Sequence, residues 1–525
     1  MKNKGQITVL FSLMISILLI FTLSALEVGR IYCGKMKIRA VIHSARSGIM
    51  ADYNRELFER YHLLFMDPTY GTGSNAMLEE KYRDYLEASL NGEDGNGGLY
   101  SFSVDEVALS DCMKITDDHM RLLKKQIADY EKEAGVVNKL ADIGNSMTDS
   151  SRKIAEAGEK TERNATVIPE STGVDETQQP GGGEEGTVAG TQQAGGGVEG
   201  SAGSSGSVQE GAESTDTDKE ETVEDPREKL KNMLSLGLLS LVLPEGTEVS
   251  GEKQDFSGSP SKDYSASKDE DKDTDFQDVS KLVKILDDSA KEDKNTISSI
   301  SEKAFFCSYV MDHFSYQGVY RDSVMRCEIE YILKGKDNDR DNLEAVLSDI
   351  IWMRMPVNYV YLLQDEEKQC EALTLATAIC SATGTLPLVE IVKYLLLGCW
   401  SYAESIYDVR VLMQGEKLPY VKTAADWNTD LKTLAKQGES NNVSVGMSYS
   451  SYLGLMLVRK ESKDITYARM LDIIEKNLRV KNENLSVVNL SGAFSVQGRI
   501  SIVPLLMKDR KSSAYEHYFQ DDFAY

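Results

Sequence analysis

Histidine and cysteine side chains hold metals and act as general bases or nucleophiles, and both residue types are widely scattered in this chain. The five histidines are His43, His62, His119, His313 and His517. No two of them have the HExxH, HxH or HxxxH spacing that would bring two imidazoles to one metal ion. The seven cysteines form no CxxC pair, and their odd number and wide spacing predict neither a zinc site nor a disulfide framework. We therefore expect no metal and no cofactor.

Two carboxylates, Glu404 and Asp408, have the best spacing for joint chemistry. They are four residues apart in a segment with helical spacing, so both lie on one helix face. Such a pair could be a catalytic dyad, or it could pair with Arg354 or Lys393 from a neighbouring helix. Because the surrounding sequence WSYAESIYDVRV is aromatic and apolar, we favour a structural ion network that contains Glu404, Asp408 and Arg410.

Three further catalytic or ligand-binding motifs are incomplete or absent. The sequence has no GxxxxGK[ST] loop for nucleotide phosphates and no GxSxG nucleophile elbow. Asp271, Asp273 and Asp275 have the spacing of a calcium loop, but Phe276 replaces the required glycine and Leu282 the required glutamate. We therefore assign no catalytic residue and predict that the protein is not an enzyme.

Charge and composition limit the kind of partner and the amount of folded chain. The net charge is −26, which repels the phosphates of nucleic acid, so we expect no nucleic-acid partner. Residues 164–225 are rich in glycine, serine, threonine, glutamine and glutamate, and they contain almost no large apolar side chain. Such a segment cannot bury enough surface to offset its ordering entropy, so it is predicted to be a disordered acidic linker. A second acidic linker is predicted at 250–295.

The first secondary-structure element predicted along the chain is an apolar segment, ITVLFSLMISILLIFTLSAL, at 7–26. At 1.5 Å per residue it covers about 30 Å, the thickness of the hydrocarbon core of a bilayer. The anchor positions are Ile7, Leu10, Phe11, Ile15, Leu18, Leu19, Phe21 and Leu26. A cleaved signal peptide is the alternative, but its apolar core is usually about 7 to 15 residues long and a small-x-small site follows it. We favour a retained anchor.

The flanks of this segment leave its orientation open, because Lys2 and Lys4 face a comparable basic cluster after Glu27. We favour a cytoplasmic amino terminus. The protein is thus expected to lie in the cell membrane as a single-pass protein with an extracytoplasmic ectodomain.

Apolar spacing predicts the remaining elements. Helical spacing continues from Ile31 to Leu64, and further helices are predicted at 78–90, 342–363, 368–382, 387–413 and 466–478. Alternation predicts strands at 100–109 and 326–333, with two short β-rich runs at 486–506 that are separated by Gly492 and Gly498. The apolar island 233–243 is too short to span a bilayer, so we expect it to dock on the ectodomain or on a partner.

The predicted fold class is α+β. An amino-terminal transmembrane helix continues into an amphipathic helix, and a small antiparallel sheet built from distant segments contains an inserted helical bundle. The predicted order is a membrane anchor at 1–29, a helix and first strand at 30–115, a charged helix at 116–163, an acidic linker at 164–225, an apolar docking segment at 226–249, a second acidic linker at 250–295 and a helical ectodomain with terminal strands at 296–525.

The amino-terminal block resembles the TadE/TadG-like membrane proteins of tight-adherence (Flp) pilus loci. The matching residues are Gly5, Glu27, Val28, Gly29, Arg30, Tyr32 and the alanines Ala40, Ala45 and Ala51. The rest of the chain is similar to a clostridial-type family of such proteins whose ectodomain has no assigned function, through LSLVLP, EIEYILKGK, AES-DVR and LPYVKT-DW. The resemblance implies a pilin-like sheet and interaction roles for Gly5, Glu27, Gly29, Arg30 and Tyr32.

One departure from that family bears on processing. In prepilins of this type a peptidase cuts after a glycine, and a glutamate at the fifth mature position helps assembly. If Gly5 were that glycine, the fifth residue would be Leu10, which carries no charge. The uncleaved, TadG-like role is therefore favoured.

The resulting hypothesis is a non-enzymatic, TadG-like or pseudopilin-like component of a Tad-type pilus or secretion assembly. Its expected partners are the membrane and other pilin-like or Tad-apparatus proteins, and a homo-oligomer is compatible with this role. The alternative is a cell-envelope adhesin or ligand-binding ectodomain on one transmembrane helix.

Overall fold

One helix, α1 (Lys4–Met50), carries the apolar segment and continues beyond it without a break. Apolar side chains surround its amino-terminal half, whereas its carboxyl-terminal half buries one stripe. That stripe repeats every three or four residues and consists of Ile38, Val41, Ile42, Ala45 and Ile49. The predicted helical continuation is confirmed as far as Met50, but the chain leaves the helix there and forms a separate short helix, α2 (Arg55–Tyr61), instead of continuing to Leu64.

The computed structural model describes residues 4–92, 100–134, 225–262, 294–434, 446–459, 464–505 and 514–525. The aspartates of the calcium-like motif and nearly all of the predicted linker 164–225 lie outside these residues. Within them the chain is helix-rich with a small antiparallel sheet and an amino-terminal apolar helix, as predicted.

Three strands form the sheet: β1 (Phe102–Lys114), β2 (Ser491–Ile502) and β3 (Tyr515–Ala524). β2 lies in the centre and pairs antiparallel with both neighbours, so segments from distant parts of the chain meet in the sheet. The two predicted runs at 486–506 are one strand that passes through Gly498. A Cβ atom there would lie 2.6 Å from the Glu106 carbonyl oxygen, so the glycine allows β1 to approach closely and does not mark a break.

The sheet buries one face against α1 and α3 (Ala76–Asn91). The core between them contains Tyr82 and Leu86 from α3 and Phe494 and Ile500 from β2. Gly34 lies where α1 meets the sheet, and a Cβ atom at this position would be 2.9 Å from the Ile502 side chain. The absence of a side chain at Gly34 therefore brings the helix close to the sheet.

Ten further helices lie between β1 and β2 in the sequence of the described residues. They are α4 (Asp117–Ala134), α5 (Pro226–Ser235), α6 (Leu238–Val242), α7 (Lys294–His313), α8 (Glu328–Lys334), α9 (Asp339–Gln364), α10 (Glu366–Thr383), α11 (Val389–Met413), α12 (Tyr449–Arg459) and α13 (Asp464–Arg479). The helices predicted at 78–90, 342–363, 368–382, 387–413 and 466–478 are confirmed as α3, α9, α10, α11 and α13.

The strand predicted at 326–333 is wrong, because most of this segment forms α8. Its polar positions suggested alternation, yet Glu328 and Glu330 are as buried as the apolar residues beside them. Each carboxylate accepts hydrogen bonds from protein groups, including the Asn477 amide on Glu328 at 2.6 Å and the Tyr449 hydroxyl on Glu330 at 2.8 Å. A helix buried on all sides, whose carboxylates accept hydrogen bonds from distant residues, thus mimics the pattern of a half-exposed strand.

The apolar island 233–243 docks on the other helices through α5 and α6, which pack against α11. Val242 is fully buried, whereas Leu234 and Leu236 remain 41% and 68% exposed. Residues 250–262, predicted to begin an acidic linker, also pack against the helices. Phe256 is buried and stacks on Tyr331 with the ring centroids 4.4 Å apart.

Two helices in the described residues are long and apolar enough to cross a membrane, one over Ile7–Met50 and one over Leu386–Met413. The apolar part of the first has no buried residues. The second was not predicted as a span. It includes α11, which buries Trp400, Glu404 and Asp408 against its neighbours, and one third of its most apolar stretch of 18 residues is buried.

Candidate functional site

The anchor residues form a continuous uncovered surface on the amino-terminal half of α1. Their exposed fractions lie between 53% for Leu19 and 73% for Phe21. Gly5 lies in the first turn of the same helix. A helix that is apolar on all sides and packs against nothing in the described chain needs an apolar surrounding, which a bilayer supplies.

Glu27 and Arg30 lie at the end of this surface and connect α1 to the sheet. Arg30 Nη2 is 2.6 Å from Glu27 Oε1 and donates to the Val503 carbonyl oxygen at 2.7 Å. The Leu505 amide donates to the same glutamate oxygen at 3.4 Å. We call Glu27, Arg30 and residues 503–505 the junction. It fixes the end of the central strand β2 next to the first turn of α1 beyond the apolar segment.

Replacing Arg30 with alanine should loosen the junction without unfolding the protein. The substitution removes a charge-assisted hydrogen bond to Val503 and an ion pair, an interaction of about 1–2 kcal/mol. We expect faster amide hydrogen exchange at Val503 and Leu505, measured in detergent-solubilised protein. Arg39→Ala, on the exposed side of α1, is the matched control. Equal exchange in both variants would show that the junction does not hold the strand.

Beyond the junction, α1 has an exposed side opposite the buried stripe. Tyr32 and Met36 are 68% and 65% exposed, and Cys33 and Arg39 are exposed beside them. Gly29 adds no bulk, and a Cβ atom at that position would meet nothing within 4 Å. Apolar surface thus continues from the anchor along one side of the helix above it.

In the helical region, Glu404 and Asp408 belong to a fully buried set that we call the buried ion network: Arg354, Glu404, Asp408 and Lys422. Arg354 Nε donates to Asp408 Oδ2 at 2.9 Å, and Lys422 Nζ lies 2.5 Å from Asp408 Oδ1. Lys422 also donates to Glu404. Glu404 further accepts hydrogen bonds from the backbone amides of Asn428 and Thr429 at 3.0 and 2.9 Å.

The structure brings together part of the predicted ion set. Arg354 pairs with Asp408 as one sequence alternative proposed, whereas Lys393 lies 3.9 Å from Glu390. Arg410 projects from the exposed side of α11 and makes none of the described network contacts. Its place is taken by Lys422, which the sequence reading missed. The only local signal was the position of Lys422 within LPYVKT-DW, one of the segments that carry the family resemblance.

The network favours the charged form of Asp408 and keeps all four side chains inaccessible to solvent. Burial raises the pKa of Asp408, but attraction to Arg354 and Lys422 outweighs this effect and leaves the pKa below its ordinary value. All four side chains have 0% exposure, so no substrate could touch the carboxylates without movement of the loop that carries Lys422. The arrangement can join this loop to α9 and α11, which is a structural task.

The remaining candidate groups do not converge. Among the described residues, no three histidine, cysteine, aspartate or glutamate side chains are placed to hold a metal ion. All seven cysteines are free thiols. His62 and His313 lie with their ring centroids 5.6 Å apart, but their close neighbours are the aromatic rings of Tyr130 and Tyr309. Burial lowers the pKa of His313, which favours its neutral form.

Comparison with known families gives one match. A family of unknown function, DUF5702, matches residues 216–502. The matched region begins after α4, ends with the last residue of β2, and therefore includes the helical region and the central strand but not α1, β1 or β3. No curated protein and no solved structure matches the chain.

Proposed function

This chain belongs to the DUF5702 family, whose function is unknown, and we propose that it is a non-enzymatic, single-pass membrane protein of a Tad-type pilus or secretion assembly. In this proposal α1 anchors the protein with the ectodomain outside the cell. Its exposed side packs against the helices of other pilin-like or Tad-apparatus proteins, or of a second copy. The role is TadG-like or pseudopilin-like.

The continuity of α1 is the observation that carries the proposal. One helix presents an uncovered apolar half and then a half that packs on a three-stranded antiparallel sheet, with no hinge between them. This layout agrees with a pilin-like stalk and with the resemblance of the amino-terminal block to TadE/TadG-like proteins. The helical region between β1 and β2 would then be an insertion in a pilin-like sheet.

The exposed side of α1 supports lateral packing. Lipid can cover Leu18 and Leu19 within the apolar segment, but Tyr32 and Met36 lie beyond it and remain exposed. Apolar helix surface outside the bilayer favours a protein partner over water. The same side contains Gly29, and small residues allow helices to approach closely.

Single-cysteine crosslinking tests this proposal. Cysteine would replace Leu18, Tyr32 or Met36, one at a time, in cells that make the full chain with its exposed Cys33 and Cys370 changed to serine. We expect a maleimide–benzophenone reagent, attached to the introduced thiol and activated by light to insert into a neighbouring C–H bond, to join these positions to a pilin-like protein, a Tad-apparatus protein or a second copy, identified by mass spectrometry.

Ile38→Cys is the matched control for that experiment, because Ile38 lies on the same helix but is fully buried against the sheet. It should give no product. If Leu18→Cys, Tyr32→Cys and Met36→Cys also give no product with any helix-anchored protein, the assembly role is wrong.

A specific observation favours the second candidate function, an adhesin or ligand-binding ectodomain. The turn between α10 and α11 and the first two turns of α11 carry exposed apolar side chains: Leu386, Leu388, Ile391, Tyr394 and Leu395, each 45–59% exposed. Such a patch on a folded domain is typical of an interaction surface. If Ile391→Ser abolished surface attachment while the α1 crosslinks failed to form, this second function would replace the first.

A further inference from the structure

We propose that the outer edge of β3 is a docking site for an extended, lysine- or arginine-bearing polypeptide segment, which adds to the sheet as a fourth strand. The edge is a different surface from the exposed side of α1, so this inference does not depend on the proposed helix packing. It identifies a second interaction surface and the chemistry of the segment that fits it.

The backbone of β3 has one row of hydrogen-bonding groups that β2 does not use. The Tyr525 amide donates to the Gly492 carbonyl oxygen at 3.1 Å, and this bond fixes which residues of β3 face β2. Because hydrogen-bonded and non-bonded pairs alternate in an antiparallel ladder, every second residue points its N–H and C=O groups away. The outward-facing residues are Glu516, Tyr518, Gln520, Asp522 and Ala524. In the described part of the chain no strand pairs with them.

The two edges of the sheet differ in regularity. β1 has register shifts between Val104 and Glu106, between Leu109 and Asp111, and between Met113 and Lys114. Such irregularities interrupt the row of donors and acceptors that another strand would need. β3 pairs with β2 in unbroken register along its whole length of 10 residues, and it contains no proline, glycine or lysine. β3 is therefore the edge that can accept a strand.

An inward-pointing charge can also protect an edge, but the inward charge of β3 is satisfied within the protein. Asp521 is 9% exposed and lies 3.3 Å from Arg46 Nη1. It also accepts a hydrogen bond from the Tyr82 hydroxyl at 3.0 Å. These contacts hold Asp521 against α1 and α3, so it does not obstruct the edge.

The exposed face of β3 selects a basic segment. Glu516 and Asp522 are exposed on this face, and the strand has no lysine or arginine. Asp522 accepts hydrogen bonds from Ser495 and Gln520, and these bonds keep its pKa below the ordinary value, so it is charged at neutral pH. Arg499 lies 3.9 Å from Glu516, but no basic side chain pairs with Asp522 in the residues that the structure describes.

Charge also argues against a second copy of β3 as the added strand. Cross-strand neighbours of like charge destabilise a sheet, and two copies of β3 would bring acidic side chains together in a protein of net charge −26. A segment with lysine or arginine on the corresponding face forms opposite-charge pairs with Glu516 and Asp522. The backbone supplies affinity and the side chains supply selectivity, as in other strand-addition complexes.

Binding of a designed probe to the full chain in detergent micelles tests the inference. The probe is a fluorescent ten-residue peptide that alternates lysine with valine and threonine, and the comparison peptide has glutamate in place of each lysine. We expect the lysine peptide to bind, measured by anisotropy at physiological salt, and to slow hydrogen exchange at the amides of Tyr518, Gln520 and Asp522. The glutamate peptide should bind at least about tenfold more weakly.

A pair of variants at Gln520 separates edge pairing from general charge attraction. Gln520→Pro removes one outward N–H group, and proline is tolerated at an edge where this group faces solvent. Gln520→Ala keeps the group. We expect Gln520→Pro to weaken the lysine peptide at least about tenfold and Gln520→Ala to leave it nearly unchanged. Protected amides at Phe519 and Asp521, which face β2, would show that β3 is still folded.

Three results would overturn the inference. Equal affinities in the two variants would place the peptide elsewhere, and binding without slower exchange in β3 would do the same. Protection of Tyr518, Gln520 and Asp522 in the chain alone, accompanied by a dimer in analytical ultracentrifugation, would identify a second copy as the occupant.

Discussion

Replacing Lys422 with methionine is expected to lower the free energy of unfolding by about 3–5 kcal/mol, one of the two largest effects predicted for this protein. Lys422 bridges Glu404 and Asp408 in a site with no exposure to solvent. Methionine fills similar volume but leaves Glu404 buried with no cation, and an uncompensated buried charge is far costlier than a lost contact. Urea unfolding followed by fluorescence will report the change, since Trp400 and Trp427 lie beside the network.

Two further variants make this prediction specific to the buried charge. Adding Glu404→Gln to Lys422→Met should restore at least about 2 kcal/mol, because glutamine still accepts from the Thr429 amide but carries no charge. Lys417→Met, on the exposed part of the same loop, should change stability by less than about 0.5 kcal/mol. A loss below about 1 kcal/mol for Lys422→Met would contradict the network as described.

The second large effect is a pH dependence that arises from Glu330. Burial raises the pKa of Glu330 to about 7 from 4.5, although hydrogen bonds from the Gln317 amide and the Tyr449 hydroxyl lower it in part. The folded state therefore binds the proton more tightly than the unfolded state. This contribution to stability is fully present below pH 4.5 and is lost as the pH rises through about 7. The loss amounts to about 3 kcal/mol.

Unfolding measured at pH 5 and pH 8 will test this dependence. Wild type should be less stable at pH 8, and Glu330→Gln, which resembles the protonated side chain, should remove about 2.5 kcal/mol of the difference. Glu483→Gln, at an exposed position, should leave the difference unchanged. Parallel pH profiles for wild type and Glu330→Gln would show that Glu330 does not titrate in this range.

Periodicity was a sufficient guide where a helix buries one stripe. The helices at 342–363, 368–382 and 466–478 were predicted close to their observed bounds because helical apolar spacing continues along nearly the whole of each. The same principle gave the continuation of α1 as far as Met50. Its end could not be predicted, because the chain turns there to place Asn54 as the cap of α2, and its side chain accepts from the Leu57 amide at 3.0 Å.

Distant partners explain the elements that periodicity missed. In α8, the local sequence suggests that Glu328 and Glu330 are exposed. They are buried because Asn477 and Tyr449, from helices more than a hundred residues away in the sequence, donate hydrogen bonds to them. β3 was not predicted because Asp521 is a buried carboxylate whose partners lie on α1 and α3. In both cases a polar residue lies at a buried position, whereas local sequence patterns predict that a polar residue is exposed to solvent.

The positions of the candidate site residues along the chain could be predicted from the sequence, but their tertiary contacts could not. The span and the residues Glu27 and Arg30 follow from hydropathy and charge, but nothing local indicates that Arg30 reaches the carbonyl group of Val503. Lys422 was missed for the same reason, because a loop lysine has no periodicity that could direct it to Glu404. Contacts between side chains of elements that are distant in the sequence can be identified only from the tertiary structure.

The junction makes α1 a lever. Because the helix is continuous and Arg30 holds it to the end of β2, no hinge lies between the apolar half of α1 and the sheet to absorb a change in helix tilt. At 1.5 Å per residue, the part of α1 beyond the apolar segment is about 36 Å long, so a tilt of about 10° would move the Met50 end by about 6 Å. The sheet must swing with it. In the proposed membrane-anchored form, a change in membrane thickness or in lateral neighbours would therefore change the direction in which the folded region faces.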